Sequence, residues 1–382
     1  MRSNIIIGRL FGIDIGINYS WFFLFGMITL SFWAQYSEEH AGWPPFAPII
    51  AALATSALFF LSLLAHEMSH SLLALAKGLP VRSITLFIFG GVSLIEKEAM
   101  NASSEFEVAV VGPVSSFIIA GIFYGFTLVV DVSSPLGAAC AWLARVNLFL
   151  AIFNMVPGYP LDGGRVLRAI VWAITGSVHR ATRIASLGGQ LVAWLIIGAG
   201  IMMAFADIPY LGPYLGRGPI SGLWFIVIGG FLLYAARSSQ QAMRLDEMIS
   251  RAQARDVMSR NADLVPAGIS LSQFFDDHLI KSGRRCYVVA DDGRLLGLMT
   301  PAELKAVSRQ NWASTTVVQA MTPFEAMRWV EPDADLKQVV ELMERDEVNQ
   351  VPVVSVGQLE GLIGRDDLLE FIQTRSEFGY SS

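Results

Sequence analysis

The chain has 382 residues, 53% of them hydrophobic and only 16% charged, with a mean hydropathy of +0.51 and a net charge of −6. Soluble domains carry about 25% charged residues, and disordered chains are poor in apolar ones, so neither class describes the whole chain. The charge is unevenly spread. Residues 1–252 hold 14 Lys and Arg against 13 Asp and Glu, whereas residues 253–382 hold 13 against 20. A hydrophobic, membrane-embedded part is therefore followed by an acidic part of soluble composition. That acidic excess disfavours nucleic acid as a partner, because neutralising phosphates requires surplus Lys and Arg. Cys140 and Cys286 fall in different parts and suggest neither a disulfide framework nor a Cys-type zinc site. The first apolar run, from about Ile17, lacks a small-residue cleavage site and reads as a retained span rather than a signal peptide.

A spanning helix needs about 20 mostly apolar residues. Six segments qualify: 17–36, 46–76, 108–130, 136–157, 186–206 and 220–236. Lys and Arg gather at one set of their ends, with Arg2, Arg9, Lys77, Arg82, Lys97, Arg165, Arg168, Arg180, Arg183, Arg237 and Arg244. The opposite set holds only Arg217. This asymmetry predicts cytoplasmic N- and C-termini in a cell membrane. The expected fold class is a multi-pass α-helical membrane domain over 1–240, a linker over 241–252, and an α/β cytoplasmic unit over 253–382. Val81–Glu96 is β-branched and interrupted by Gly90-Gly91, too short to span. It predicts one or two strands beside the membrane, and an edge strand there can hold an extended substrate.

Residues 66–70 read His-Glu-Met-Ser-His, within the second span. Residues four apart share a helix face, so His66 and His70 can bind one zinc ion while Glu67 takes a proton from the water it activates. Ionisable groups are costly in a span and are usually functional there. Such a site needs a third protein ligand. The fourth span runs into Asn154-Met155-Val156-Pro157-Gly158-Tyr159-Pro160-Leu161-Asp162-Gly163-Gly164, where prolines and glycines break the helix. Asp162 is the only carboxylate between Asp131 and Asp207, and the second and fourth spans run in the same direction, so it reaches the depth of the two histidines.

Together these residues resemble the site-2 protease family of intramembrane zinc metalloproteases, which pairs H-E-x-x-H on one span with N-x-x-P…L-D-G on a later one. The resemblance implies His66, His70 and Asp162 as ligands of one Zn2+, Glu67 as general base, and Asn154 as a residue that positions substrate or stabilises the oxyanion. Gly90 and Gly91 join Asn154 as expected substrate-binding residues. Gly112-Pro113 in the third span also matches a family pattern, although a kink eased by small neighbours accounts for it.

Residues 253–382 are internally duplicated with a spacing of about 64 residues, which divides them into 253–312 and 313–376. Arg285-Cys286-Tyr287-Val288-Val289 recurs as Gln350-Val351-Pro352-Val353-Val354, and Gly297-Leu298-Met299-Thr300 as Gly361-Leu362-Ile363-Gly364. Each copy predicts a helix, two strands joined by a turn (Asp291-Asp292-Gly293 in the first) and a closing helix. This resembles a tandem pair of CBS domains, which implies regulation or homodimerisation and, in many members, ATP or AMP in the clefts between repeats. The ribose-contacting pattern G-h-h-S/T-x-x-D is divided: Thr300 supplies the hydroxyl in the first copy and Asp367 the carboxylate in the second, while Glu303 and Gly364 stand at the complementary positions.

The expected activity is a zinc endopeptidase of a prokaryotic inner membrane that cleaves a transmembrane or membrane-associated protein near the cytoplasmic face. The resemblance suggests anti-sigma factors, sigma-factor precursors or remnant signal peptides as substrates, met in the lipid bilayer. The competing reading is a transporter or channel with a regulatory CBS pair. His40, His179 and His278 read as surface residues, and Arg145 within the fourth span faces a polar cavity or snorkels.

Overall fold

In the computed structural model, the residues described are 4–88, 90–95, 99–205, 219–260, 264–282, 286–291, 294–346, 348–356 and 358–378. Lys97, Arg217 and the turn predicted at Asp292-Gly293 lie outside them. The chain divides into two compact units, Met1–Met243 and Arg244–Ser382.

The first unit begins with a β-hairpin. Strands β1 (Ile5–Leu10) and β2 (Ile13–Ile17) are antiparallel, and Phe11 and Gly12 between them both have positive φ, 51° and 85°. Two consecutive positive-φ residues make a turn whose twist suits a hairpin. The hydropathy pattern predicts a span from residue 17, but helix α1 starts at Tyr19, after Asn18 caps it by accepting from Ser20 N. The second hairpin, β3 (Val81–Phe87) and β4 (Gly90–Ile95), is the predicted β element. One four-stranded sheet results, ordered β1-β2-β3-β4, with β2 and β3 parallel and β4 at an edge.

Six long helices follow the predicted spans: α1 (Tyr19–Glu39), α2 (Ala47–Ala76), α3 (Ala102–Thr127), α4 (Pro135–Asn154), α6 (Val178–Phe205) and α7 (Pro219–Ser250). Between them lies a shorter helix, α5 (Asp162–Thr175), which ends at Gly176 in the left-handed conformation. Among the described residues, five helices, α2, α3, α4, α6 and α7, are long and apolar enough to cross a membrane. The sixth predicted span, α1, is long enough at 21 residues but less apolar. Tyr19, Trp21, Trp33, Gln35 and Tyr36 lower its hydropathy, and aromatic residues of this kind belong to membrane interfaces. Residues 241–250, expected within a linker, continue helix α7.

The sheet packs on the C-terminal half of α2 and the start of α3. Ile13 and Ile15 of β2 and Val81 and Ile84 of β3 share one buried cluster with Met68, Ala74, Leu79 and Val108. Burial of these side chains, about 1.5–3 kcal/mol for each one larger than Ala74, fixes the sheet beside the turn of α2 that carries the histidines.

The second unit has strands β5 (Leu264–Pro266), β6 (Tyr287–Asp291), β7 (Arg294–Met299) and β8 (Thr322–Pro323) in one sheet, and β9 (Gln350–Ser355) and β10 (Gln358–Gly364) in another. The lead segments of the two repeats are exchanged. Thr322, at the start of the second repeat, pairs with Leu298 of the first, and Ser259 of the first pairs with Leu362 of the second. Val317 accordingly lies in the first repeat's core, and Ala254 and Val257 lie in the second's. The cores therefore do not follow the linear division at residue 312.

Candidate metal centre

His66 and His70 lie one turn apart on α2, 2% and 4% exposed. His70 Nδ1 is 2.6 Å from the carbonyl oxygen of Val108 on α3. A carbonyl only accepts, so Nδ1 carries the hydrogen and the lone pair of the neutral ring resides on Nε2. His66 Nδ1 is held by the Ser116 hydroxyl at 2.9 Å. Both rings are thus oriented from behind, and both Nε2 atoms point at one place.

Asp162, the first residue of α5, completes that place. Its Oδ2 is 3.1 Å from His66 Nε2 and 3.2 Å from His70 Nε2, and the two Nε2 atoms are 3.3 Å apart. Lone pairs converging this closely repel unless a proton or a metal cation lies among them. Zinc bonds of about 2.0–2.1 Å in tetrahedral geometry place neighbouring ligand atoms about 3.3 Å apart, which the three separations match within a few tenths of an ångström. Two imidazoles and a carboxylate, with a fourth position left for water, are a donor set of the kind catalytic zinc takes. Among the described residues, His66, His70 and Asp162 form the group able to hold a metal ion.

The break after α4 delivers Asp162. A Cβ on Gly163 would lie 2.3 Å from the Met155 backbone, and one on Gly164 equally close to Gly158, so the tight return of the chain requires glycine at both. Helix α5 is tied to α3 by Glu105, 1% exposed, which accepts from Arg165 Nε at 3.1 Å and meets Arg168 Nη2 at 2.7 Å. Gly112 of α3 lies directly under the imidazoles: a Cβ there would be 2.1 Å from His70 Nε2. Asn154, the last residue of α4, brings its Nδ2 to 3.5 Å from His66 Nε2, at the limit of a hydrogen bond.

Glu67 lies beneath β4. Its Oε2 accepts from Ser93 Oγ at 2.9 Å, and a Cβ on Gly91 would come within 2.5 Å of its Cγ. Gly90 opens the same strand with φ of 133°. Of the predicted substrate residues, Asn154 therefore reaches His66 and Gly91 reaches Glu67, whereas nothing lies within 4 Å of where a Cβ on Gly90 would stand. Sequence reasoning did not single out Ser93, Ser116 or Glu105. Only Ser93 carried a signal, since it alternates with Gly91 on a strand and so shares its face.

The nucleotide candidates are occupied as helix caps. The Thr300 hydroxyl bonds the Glu303 carboxylate and accepts from Ala302 N, and Asp367 Oδ2 accepts from Gly364 N at 2.7 Å. Asp367 also lines a cavity of about 230 Å³ with Asp256, Val257, Glu370, Phe371 and Thr374; Thr300 does not. Arg145 is exposed on α4 and turns its Nε to Ala141 O of its own helix.

Comparison with known proteins gives the site its context. Residues 54–136 and 130–197 match the model of peptidase family M50, and residues 254–308 and 317–374 match the CBS domain. The protein sll0528 of Synechocystis sp., assigned to the zinc metalloproteases, is 36% identical over 98% of this chain and 97% of its own. The zinc metalloprotease MJ0392 of Methanocaldococcus jannaschii is 26% identical over 82% of this chain and 83% of its own. The solved structure of the site-2 protease from the same archaeon superposes with a TM-score of 0.42 at 24% identity, covering 62% of this chain and 94% of that one. The chain belongs to peptidase family M50, the site-2 protease family of membrane-embedded zinc metalloproteases, and carries a tandem CBS pair.

Proposed function

We propose that His66, His70 and Asp162 hold one zinc ion and that Glu67 is the general base of an endopeptidase acting on transmembrane or membrane-associated proteins near the cytoplasmic face. The convergence of two oriented Nε2 atoms and one carboxylate oxygen carries this reading. Zinc bound there supplies Lewis acidity, polarising the scissile carbonyl and lowering the pKa of a water. Glu67 takes the proton of the attacking water and passes it to the leaving amine. Asn154, beside His66, donates its amide to the substrate carbonyl as negative charge develops. A substrate helix shields its own peptide bonds, so the segment to be cut must unwind first. The free edge of β4, at Gly90 and Gly91, offers main-chain partners to such a segment. The family favours this reading over a transporter.

The distribution of Lys and Arg supports cytoplasmic termini in a prokaryotic inner membrane. The family resemblance points to anti-sigma factors, sigma-factor precursors or remnant signal peptides as substrates. Residues 253–382 serve to regulate or dimerise the protease. An adenine nucleotide beside Asp367 meets the carboxylates of Asp256 and Glu370, so AMP suits that cavity better than ATP.

The test is cleavage of a single-span substrate in proteoliposomes by the wild type and by Glu67→Gln. The variant should retain zinc and lose at least about a hundredfold in rate, the contribution of general acid–base catalysis. Equal cleavage by both proteins overturns the reading, as does full zinc content after His66, His70 and Asp162 are all replaced.

A further inference from the structure

Strand β4 does more than border the site. Its residues alternate, so Gly91 and Ser93 face α2 while Val92 and Leu94 are exposed on the other side. Gly91 is pressed against the stem of Glu67, where no Cβ fits. Ser93, two residues on, donates to Glu67 Oε2 at 2.9 Å. The carboxylate accepts, so the Ser93 hydrogen is committed to it, and Ser71 Oγ in turn donates to Ser93 Oγ at 3.1 Å. The relay therefore runs Ser71 to Ser93 to Glu67 and ends on a carboxylate, which can only accept while ionised. Ser71 lies on α2 one turn after Glu67, so two of the three groups belong to the helix of the histidines and the third to the sheet edge.

We infer that Ser93 is a positioning residue for Glu67. It pins Oε2 and leaves Oε1 as the atom presented to the attacking water. Because Ser93 sits on the edge strand, a peptide paired to β4 holds the same strand that aims the base. Strand occupancy and base geometry are thereby coupled through one hydroxyl. The inference rests on Glu67 acting as base. It assigns Ser93 a role in turnover without any role in holding zinc, since its hydroxyl meets neither imidazole.

The experiment compares wild type, Ser93→Ala, Ser93→Thr, Glu67→Asp, Glu67→Gln and the double variant Ser93→Ala/Glu67→Asp, all full length in proteoliposomes. Zinc content, thermal stability, kcat and KM for a single-span substrate are measured. A hydrogen bond to an ionised group is strong enough that Ser93→Ala should lose about 10- to 100-fold in kcat. KM and zinc content should stay within about twofold of the wild type. Ser93→Thr restores the hydroxyl and should recover most of the rate. Aspartate is one methylene too short to reach Ser93, so adding Ser93→Ala to Glu67→Asp should cost little more. Unchanged kcat in Ser93→Ala overturns the inference, and so does a loss that Thr does not rescue or that adds fully to Glu67→Asp. If Glu67→Gln itself remains active, the base assignment fails instead, independently of Ser93.

Discussion

At Gly112 an added methyl group would lie 2.1 Å from His70 Nε2 and 2.8 Å from His66 Nε2. Neither ring can retreat, because Val108 O and Ser116 Oγ hold their far nitrogens. Overpacking of this kind costs about 1–3 kcal/mol. Gly112→Ala should therefore weaken zinc binding by about 10- to 100-fold, read as metal content after dialysis against a chelator, with the helical signal retained. Wild-type retention would show that the rings can shift. The sequence reads Gly112 as part of a family pattern and of a kink with Pro113, neither of which places it against the imidazoles. Its closeness to the imidazoles depends on α3 crossing α2, which no local pattern encodes. The pairing of His66 with His70 was legible because residues four apart share a helix face, and Asp162 stood out as the one carboxylate between Asp131 and Asp207. Ser116 was not legible. Serines are common, and its partner is 50 positions away.

The helix pair α3 and α5 owes its alignment to a buried charge cluster. Glu105 near the start of α3 accepts from both Arg165 and Arg168 on α5, whose first residue is the metal-ligand candidate Asp162. Removing the anion that the buried Arg168 and the partly exposed Arg165 share leaves a buried guanidinium unpaired and costs up to about 3–5 kcal/mol. Glu105→Gln should lower the melting temperature and release zinc more readily, since α5 carries Asp162. Glu107→Gln, which removes the exposed partner of Lys77, should change neither and serves as the control. Helices α2 to α4 were legible from hydropathy alone. The hairpin of β1 and β2 was not, although Ile5-Ile6-Ile7 and Ile13 to Ile17 are rich in β-branched residues. Its turn is Phe11-Gly12, without the Asn or Asp that usually announces one. Its partner, β3, arrives more than 60 residues later.

In the molecule as a whole, the apolar and acidic halves of the sequence correspond to two compact units. The repeats of the second unit were visible as a duplication, but the exchange of their lead segments was not. Which core receives Val257 or Val317 depends on the strand edge that Ser259 or Thr322 joins, and both edges offer equivalent residues. The exchange predicts that residues 253–312 alone do not fold, because Ala254 and Val257 lack their core and the first core lacks Val317. Residues 244–382 should instead unfold in one cooperative transition, as followed by circular dichroism against urea. A cooperative transition in 253–312 alone would contradict the packing. Ala252 and Leu368 lie in the same core, with Phe371 packed against it. The unit is thus topologically a ring with its seam at that point. A ring can be reopened elsewhere. A short peptide joining its two ends, with a new break between the repeats, would preserve every packed contact. Which repeat comes first along the backbone is then a matter of where the ring was cut.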